Sequence, residues 1–350
     1  TEKGGVHLLG VKTLNLQKTS AVEKGIGQVM VERQYTRAIK KYLPKVKFDL
    51  ILYSTPPITF PKVIASLKRR NPQAVTYLLL KDIFPQNAVD LEMMKAGGIK
   101  GILYRYFRRK EKALYALSDH IGCMSPANVK YVIDHNPEVD PSKVEVTPNS
   151  VELKPREKVD RPAIRSKFNL PTDRPVFIYG GNLGKPQGIP FLIDCLDANA
   201  LRRDCHFLII GTGTELPRLK DWYAKRRPAS VTVMDGIPKA DYDELVRACD
   251  VGLIFLDHRF TIPNYPSRLL SYLENGMPVL CATDPNTDIG RIAEENGYGC
   301  WCESNSVEAF TIILDKMIRS DIRSMGEAGF EFLSKNYLVE NTYNAITSYV

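Results

Sequence analysis

The chain has 350 residues, with 48 lysines and arginines against 40 aspartates and glutamates, a net charge of +8 and 44% hydrophobic residues. That length exceeds what one hydrophobic core usually organises and suits two, and no apolar run approaches the roughly 20 residues that cross a bilayer. The positive balance favours anionic partners, yet the basic residues are spread along the chain without a familiar nucleic-acid signature, so no nucleic acid is expected among them.

In chain order, the strand-like Val6-His7-Leu8-Leu9 comes first. Apolar spacing then predicts helices near 22–43, 61–70, 99–117 and 126–134, alternating with short apolar runs at Phe48–Tyr53, Ala74–Leu80, His120–Met124 and Val144–Thr147. This alternation is the pattern of a parallel sheet covered by helices, and it defines a first α/β domain over 1–150. Within it, Asp82 of Lys81-Asp82-Ile83-Phe84-Pro85-Gln86-Asn87 stands at a strand's carboxyl end. A carboxylate there orients a hydroxyl or accepts its proton; capping of the following turn is the plainer alternative. Further on, Ile99, Ile102, Leu103, Tyr106 and Phe107 share one helical face, ringed by Lys100, Arg105, Arg108, Arg109, Lys110 and Lys112. A basic amphipathic helix over 99–112 suits the surface of an anionic membrane; the same face packed on the sheet is the competing reading.

Pro148, Pro155 and Pro162 punctuate a charged stretch with no helical or strand period, which makes 151–161 a linker. Alternation resumes in a second domain over 162–335, with strands at Val176–Tyr179, Phe207–Ile210, Val231–Met234, Val251–Leu256, Pro278–Ala282 and Gly299–Cys302, and a C-terminal helix over 336–350. The fold class is therefore α/β, two Rossmann-like doubly wound domains facing across a cleft, with ligands expected beyond the carboxyl ends of the strands.

Three loops at those ends carry candidate chemistry. Gly180-Gly181-Asn182-Leu183-Gly184-Lys185-Pro186-Gln187-Gly188 joins strand to helix, letting backbone amides and Lys185 approach a phosphate, although a plain turn accounts for the same glycines. Gly211-Thr212-Gly213-Thr214-Glu215 repeats that design, and a capping threonine explains it equally. The third runs through Tyr265, Pro266, Ser267 and Arg268 into a helix that carries Ser271, where hydroxyl and guanidinium can meet one anion.

Asp241-Tyr242-Asp243 has the spelling of a metal-binding pair but opens a helical stretch, where acids favour the first turn. Cys300 and Cys302 lack a second pair, so no metal and no cofactor are expected. The seven cysteines, odd in number and mostly in apolar runs, suit a reducing cytoplasm.

Together these segments resemble the retaining GT-B glycosyltransferases of the family-four type that build O-antigen and capsular polysaccharide. Lys81-Asp82-Ile83-Phe84-Pro85 is similar to an Arg-Asp-Leu-Trp-Pro segment of that group, and Pro148-Asn149-Ser150-Val151 resembles its Pro-Asn-Gly-Val. Gly181-Asn182-Leu183-Gly184 with Gln187-Gly188 matches its donor loop, and Pro266-Ser267-Arg268 before Gly276-Met277-Pro278-Val279 resembles its Pro-Ser-Lys and Gly-Lys-Pro-Val.

The resemblance implies a nucleotide-sugar donor, commonly a UDP-sugar, in the second domain, and a lipid-linked or cell-envelope glycan acceptor in the first. It places Gly181, Asn182, Lys185, Gln187, Tyr265, Pro266, Ser267, Arg268 and Ser271 around the donor, Gly211, Gly236 and Ile237 at the nucleobase, and Asp82 at the reacting sugar. It also implies a cytoplasmic enzyme, peripheral at the inner face of the membrane, that needs no metal. Two departures stand out: Pro263 and Ser271 occupy the positions of the family's paired glutamates, and the first domain has no room for the family's first strand and helix. A nucleotide-sugar epimerase or hydrolase on the same fold, or a non-catalytic binding module, are the competing functions.

Overall fold

A computed structural model describes residues 2–3, 5–13, 21–98, 101–156 and 158–350, with side chains described outside 2–3 and 21–29. The chain divides into two compact units, one of Thr1–Pro148 with Asn344–Val350 and the other of Asn149–Tyr343. The stretch read as a linker thus counts with the second unit, and the last seven residues count with the first.

The first unit opens with the antiparallel pair β1 (Glu2–Lys3) and β2 (Val6–His7), followed by a helix over Ala21–Tyr42. Its main sheet is β3 (Leu50–Thr55), β4 (Val75–Leu80), β5 (His120–Cys123) and β6 (Val144–Val146), parallel throughout and in chain order. Tyr77, Leu78 and Ile121 are fully buried, as expected of parallel strands covered on both faces. Pro61 opens the helix Pro61–Arg70, where a missing amide hydrogen costs nothing, and the Ser125 hydroxyl caps the helix Pro126–His135.

The basic helix is observed over Ile102–Leu117, and its apolar residues divide between two environments. Phe107, Leu114 and Tyr115 face inward with Glu111, whereas Ile102 and Leu103 stay exposed beside Arg105, Arg109 and Lys112. The five-residue face read from the sequence is therefore not a single surface, because Phe107 belongs to the stripe that packs inward. Ile99 and Lys100 lie outside the described residues. Among the described residues no helix is long and apolar enough to cross a membrane.

The second unit holds six parallel strands, β7 (Val176–Asn182), β8 (His206–Thr212), β9 (Val231–Asp235), β10 (Val251–Phe255), β11 (Val279–Thr283) and β12 (Gly299–Glu303), in the order β12-β11-β10-β7-β8-β9. The order reverses between β7 and β10, and such a reversal sends the flanking connections to opposite faces and opens a crevice at the carboxyl ends. One apolar cluster, including Phe177, Phe207, Phe255 and Phe310, covers one face. Another, including Ile178, Tyr272 and Tyr298, covers the other.

Strands β7 and β8 run further than the sequence predicts. Gly180, Gly181 and Asn182 pair with Ile210, Gly211 and Thr212, so the phosphate-loop residues Gly181 and Asn182 still belong to a strand. The glycines permit it: a Cβ on Gly211 would sit 1.8 Å from the Gly181 carbonyl oxygen.

Candidate functional site

The crevice between β7 and β10 is built by an overhang. β7 pairs with β10 only through Phe177 and Ile178, so its last residues leave one edge without a neighbouring strand. Side chains from the helix Arg268–Glu274 take that place. The Gly180 amide donates to the Tyr272 hydroxyl at 3.2 Å, and Arg268 Nη1 donates to the Gly180 carbonyl at 3.0 Å. The guanidinium also lies 4.2 Å from the centroid of the Tyr179 ring, whose hydroxyl donates to the Asn182 carbonyl at 2.7 Å. Gly181 adopts φ +117, a conformation that suits glycine, with Arg268 Nη2 4.0 Å from the position a Cβ would take. One guanidinium nitrogen is thus committed to the backbone and the group also interacts with the Tyr179 and Tyr272 hydroxyls, while its five-donor fork is the shape that suits an anion at the Gly181 edge.

Around this junction, Gln187 Oε1 accepts from Asn182 Nδ2 at 2.9 Å and from the Gly184 amide at 3.1 Å, fixing the turn that presents Lys185. Lys185 is exposed and has no ion-pair partner among the described residues. The Asp257 amide donates to the Pro186 carbonyl at 3.0 Å, tying the loop after β7 to the loop after β10. Gly211 pairs with Gly181 and Asp235, and a Cβ on Gly236 would fall 2.8 Å from Thr212 Cγ2. The carboxyl ends of β7, β8 and β9 therefore form a side-chain-poor shelf, with Ile237 half-buried beside it against the second cluster.

The structure brings Gly181 to Arg268 and Gly211, and Asn182 to Gln187. It does not bring every predicted residue to that junction. The Tyr265 hydroxyl is 2.6 Å from that of Tyr337. Pro266 is half-buried, and Ser267 is exposed at the helix start without a side-chain cap bond. Ser271 lies one turn further along the same helix, and both serines line a groove that also contains Glu274. The helix Leu216–Arg226 likewise begins at Glu215 without a side-chain cap, so no capping threonine operates in the second glycine loop. Asp241 and Asp243 lie in the helix Lys239–Arg247 and pair with Lys167 and Lys239. Among the described residues, no three His, Cys, Asp or Glu side chains gather where they could hold a metal ion.

Sequence reasoning missed Tyr179, Tyr242 and Tyr272, which surround Gly180; a Cβ there would fall 1.9 Å from the Tyr242 hydroxyl. No short-range signal marks Tyr242 and Tyr272, whose contacts with Gly180 span 62 and 92 positions, whereas Tyr179 ends the predicted strand but carries no sign of its contact with Arg268.

In the first unit, Asp82 follows β4, as expected from the sequence. Its carboxylate accepts from Asn87 Nδ2 at 2.9 Å, a residue five positions on in the same segment. The Thr55 hydroxyl bridges from β3, accepting from the Lys81 amide at 3.2 Å and donating to the Asp82 carbonyl at 3.2 Å. Burial pushes the Asp82 carboxyl up to about 6, and burial pushes the Lys81 ammonium down to about 8. A carboxyl that changes charge near neutral pH is suited to proton handling.

Residues 160–331 match the family described as Glycosyl transferases group 1. The second unit carries this domain, on a chain of the GT-B fold class. The chain is 25% identical over 332 residues to the probable glycosyltransferase WbjE of Pseudomonas aeruginosa, covering 91% of this chain and 78% of that protein. It is 28% identical over 155 residues to the putative colanic acid biosynthesis glycosyl transferase WcaI of Escherichia coli K12, covering 43% and 37% respectively. Among solved structures it is similar to sucrose-phosphate synthase from Thermosynechococcus elongatus, with a TM-score of 0.72, 16% identity and coverage of 91% and 77%. It is also similar to Anabaena HepE in complex with UDP-glucose, with a TM-score of 0.67, 13% identity and coverage of 90% and 81%. Family match and named relatives together indicate a glycosyltransferase.

Proposed function

We propose that the chain transfers a sugar from a UDP-sugar, with retention, to a lipid-linked or other cell-envelope glycan acceptor. The observation that carries this reading is the Gly180–Gly181–Arg268 junction at the strand-order reversal. The exposed backbone of Gly181 and the guanidinium of Arg268 are presented together there, which suits a diphosphate. The HepE complex with UDP-glucose supports the choice of donor, and the colanic acid relative supports a cell-envelope glycan as the product.

In this reaction the acceptor oxygen forms a bond to the sugar's anomeric carbon as the bond from that carbon to the phosphate oxygen breaks. The acceptor's proton passes to the departing phosphate. Arg268 and Lys185 stabilise the charge that develops on the diphosphate, and Asp82 orients the acceptor hydroxyl, so the protein's contribution is positional and electrostatic. No metal enters this scheme. Ile102 and Leu103, exposed beside Arg105 and Arg109, support peripheral attachment to an anionic membrane at the inner face.

The test is transfer of label from a panel of nucleotide sugars to a lipid-linked acceptor, with product stereochemistry read by NMR. Retained transfer from a UDP-sugar is expected; donor consumption without acceptor would favour a hydrolase or epimerase. A second reading, nucleotide-sugar binding without turnover, draws on Ser271 and Pro263 at the positions of the resembled family's glutamates. Thermal stabilisation by UDP with no transfer would favour it.

A further inference from the structure

The segment that the sequence presents as a linker forms one wall of a groove on the second unit. The groove has a volume of about 1150 Å³, and its other walls come from the helices Lys239–Arg247 and Arg268–Glu274 and the start of the helix Ile322–Asn336. Among the described residues its lining is unbalanced in charge: seven cationic side chains face three carboxylates, those of Asp243, Asp250 and Glu274.

Neutralisation within the groove is uneven. Arg161 is paired with Asp250 at 2.6 Å and Lys239 with Asp243 at 2.5 Å. Arg156 grips both oxygens of Glu327, at 3.0 and 2.6 Å, and lies over the Phe330 ring at 4.2 Å. Lys154 and Lys158, two residues to either side of Arg156, line the same groove with no ion-pair partner among the described residues. Anchoring Arg156 holds this strap in place and leaves two exposed ammonium groups at a concave wall, where like charges raise the potential and concentrate anions. On the facing helix, Ser267, Ser271 and Glu274 recur at helical spacing and add two hydroxyls and a carboxylate. A ligand charged along its whole length would meet Glu274 unfavourably, whereas one with a phosphate at the strap and hydroxyls toward the helix satisfies both walls.

We propose that this groove binds a phosphorylated polyol, with Lys154 and Lys158 holding the phosphate and Ser271 and Glu274 the hydroxyls. None of these four residues is one to which the proposed reaction assigns the donor's diphosphate, which falls to Arg268 and Lys185, and the proposal does not depend on the donor reading. The phosphorylated polyol comes either as a free small molecule or as a phospholipid headgroup.

The probes are glycerol 3-phosphate, titrated calorimetrically at low salt with UDP saturating, and vesicles of phosphatidylglycerol in phosphatidylcholine, followed by cosedimentation. Each exposed charge contact is worth a factor of about two to five, so the K154E/K158E double variant should weaken binding about tenfold, with UDP affinity and melting temperature unchanged. K154A/K158A should fall in between, which guards against a charge-reversal artefact. Glycerol 3-phosphate binding that depends on the two lysines assigns a free ligand; a lysine-dependent loss of vesicle binding without it assigns the headgroup. Equal binding by wild type and both variants, binding of the probe only when UDP is left out, or binding of neither probe would overturn the proposal. Since UDP affinity is measured separately, failure here is distinguishable from failure of the donor site.

Discussion

Replacing Asp82 with asparagine should stabilise the protein above pH 7 while removing transfer. The Asp82 carboxyl moves from 3.8 to about 6 because burial disfavours its charged form, so the native chain holds a proton there that the unfolded chain has released. Below pH 3.8 both states are protonated and the group contributes nothing. Between the two values stability falls as pH rises, and above about 6 the full penalty for the buried charge is in place. A shift of that size corresponds to roughly 3 kcal/mol, reduced to about 2 kcal/mol by the partial exposure of the side chain. Asparagine avoids the penalty and keeps an oxygen to accept from Asn87 Nδ2, now at 2.9 Å. Scanning calorimetry of both proteins at pH 8 and pH 4.5 provides the assay. D82N should melt about 4–8 °C higher at pH 8, given roughly 2–4 °C per kcal/mol for a unit of this size, with a much smaller difference at pH 4.5. Transfer at pH 8 should fall by about 10²-fold, the cost of a misplaced acceptor hydroxyl. A D82N protein that melts lower at pH 8, or a difference that does not change with pH, would refute the buried-carboxylate argument.

R268A removes both the bond to the Gly180 carbonyl and the cation over Tyr179, and K185A removes an exposed cation. UDP titration should show a larger loss for R268A than for K185A, and unchanged affinity in both would dismiss the phosphate assignment. G211A drives a Cβ to 1.8 Å from a backbone oxygen and should cost ~3 kcal/mol in denaturant melts; a neutral result would show that β7 and β8 separate easily. D250A strips the acceptor from Arg161, Arg165 and the Val176 amide, with Arg165 nearly buried, and should cost about 3–5 kcal/mol. In that case D250N should recover part of the loss.

What the sequence reveals follows the range of the forces involved. The parallel strands are legible because burial on both faces writes short apolar runs into the chain, and Val176, Val251 and Val279 each begin an observed strand. Asp82 and Asn87 are legible as neighbours because they stand only five positions apart. The true ends of β7 and β8 are not, since glycine argues locally against a strand; it is the facing glycine, thirty positions away, that allows the pairing to continue. The division of the termini is hidden for the same reason. Tyr349 stacks on His120 with ring centroids 3.5 Å apart and donates to Glu145 at 3.3 Å, which counts the chain's last residues with the first unit, and no period in the sequence encodes such a return.

The candidate site shows where local and distant information meet. Glycines after a strand announce that backbone is left uncovered, but they do not say what approaches it. In this chain the approach is made by Arg268 and Tyr272, which satisfy the edge of β7 where β10 has ended. A polar backbone edge inside a protein needs partners, and a guanidinium that supplies one still has donors to spare. The same side chain can therefore complete the fold and bind a phosphate. It follows that R268K should keep part of the structure and little of the anion recognition, because an ammonium can reach one carbonyl but cannot offer a planar fork to a second acceptor. Near-normal melting with a large loss of UDP affinity would bear this out, and equal losses in both would show that Arg268 serves the fold alone.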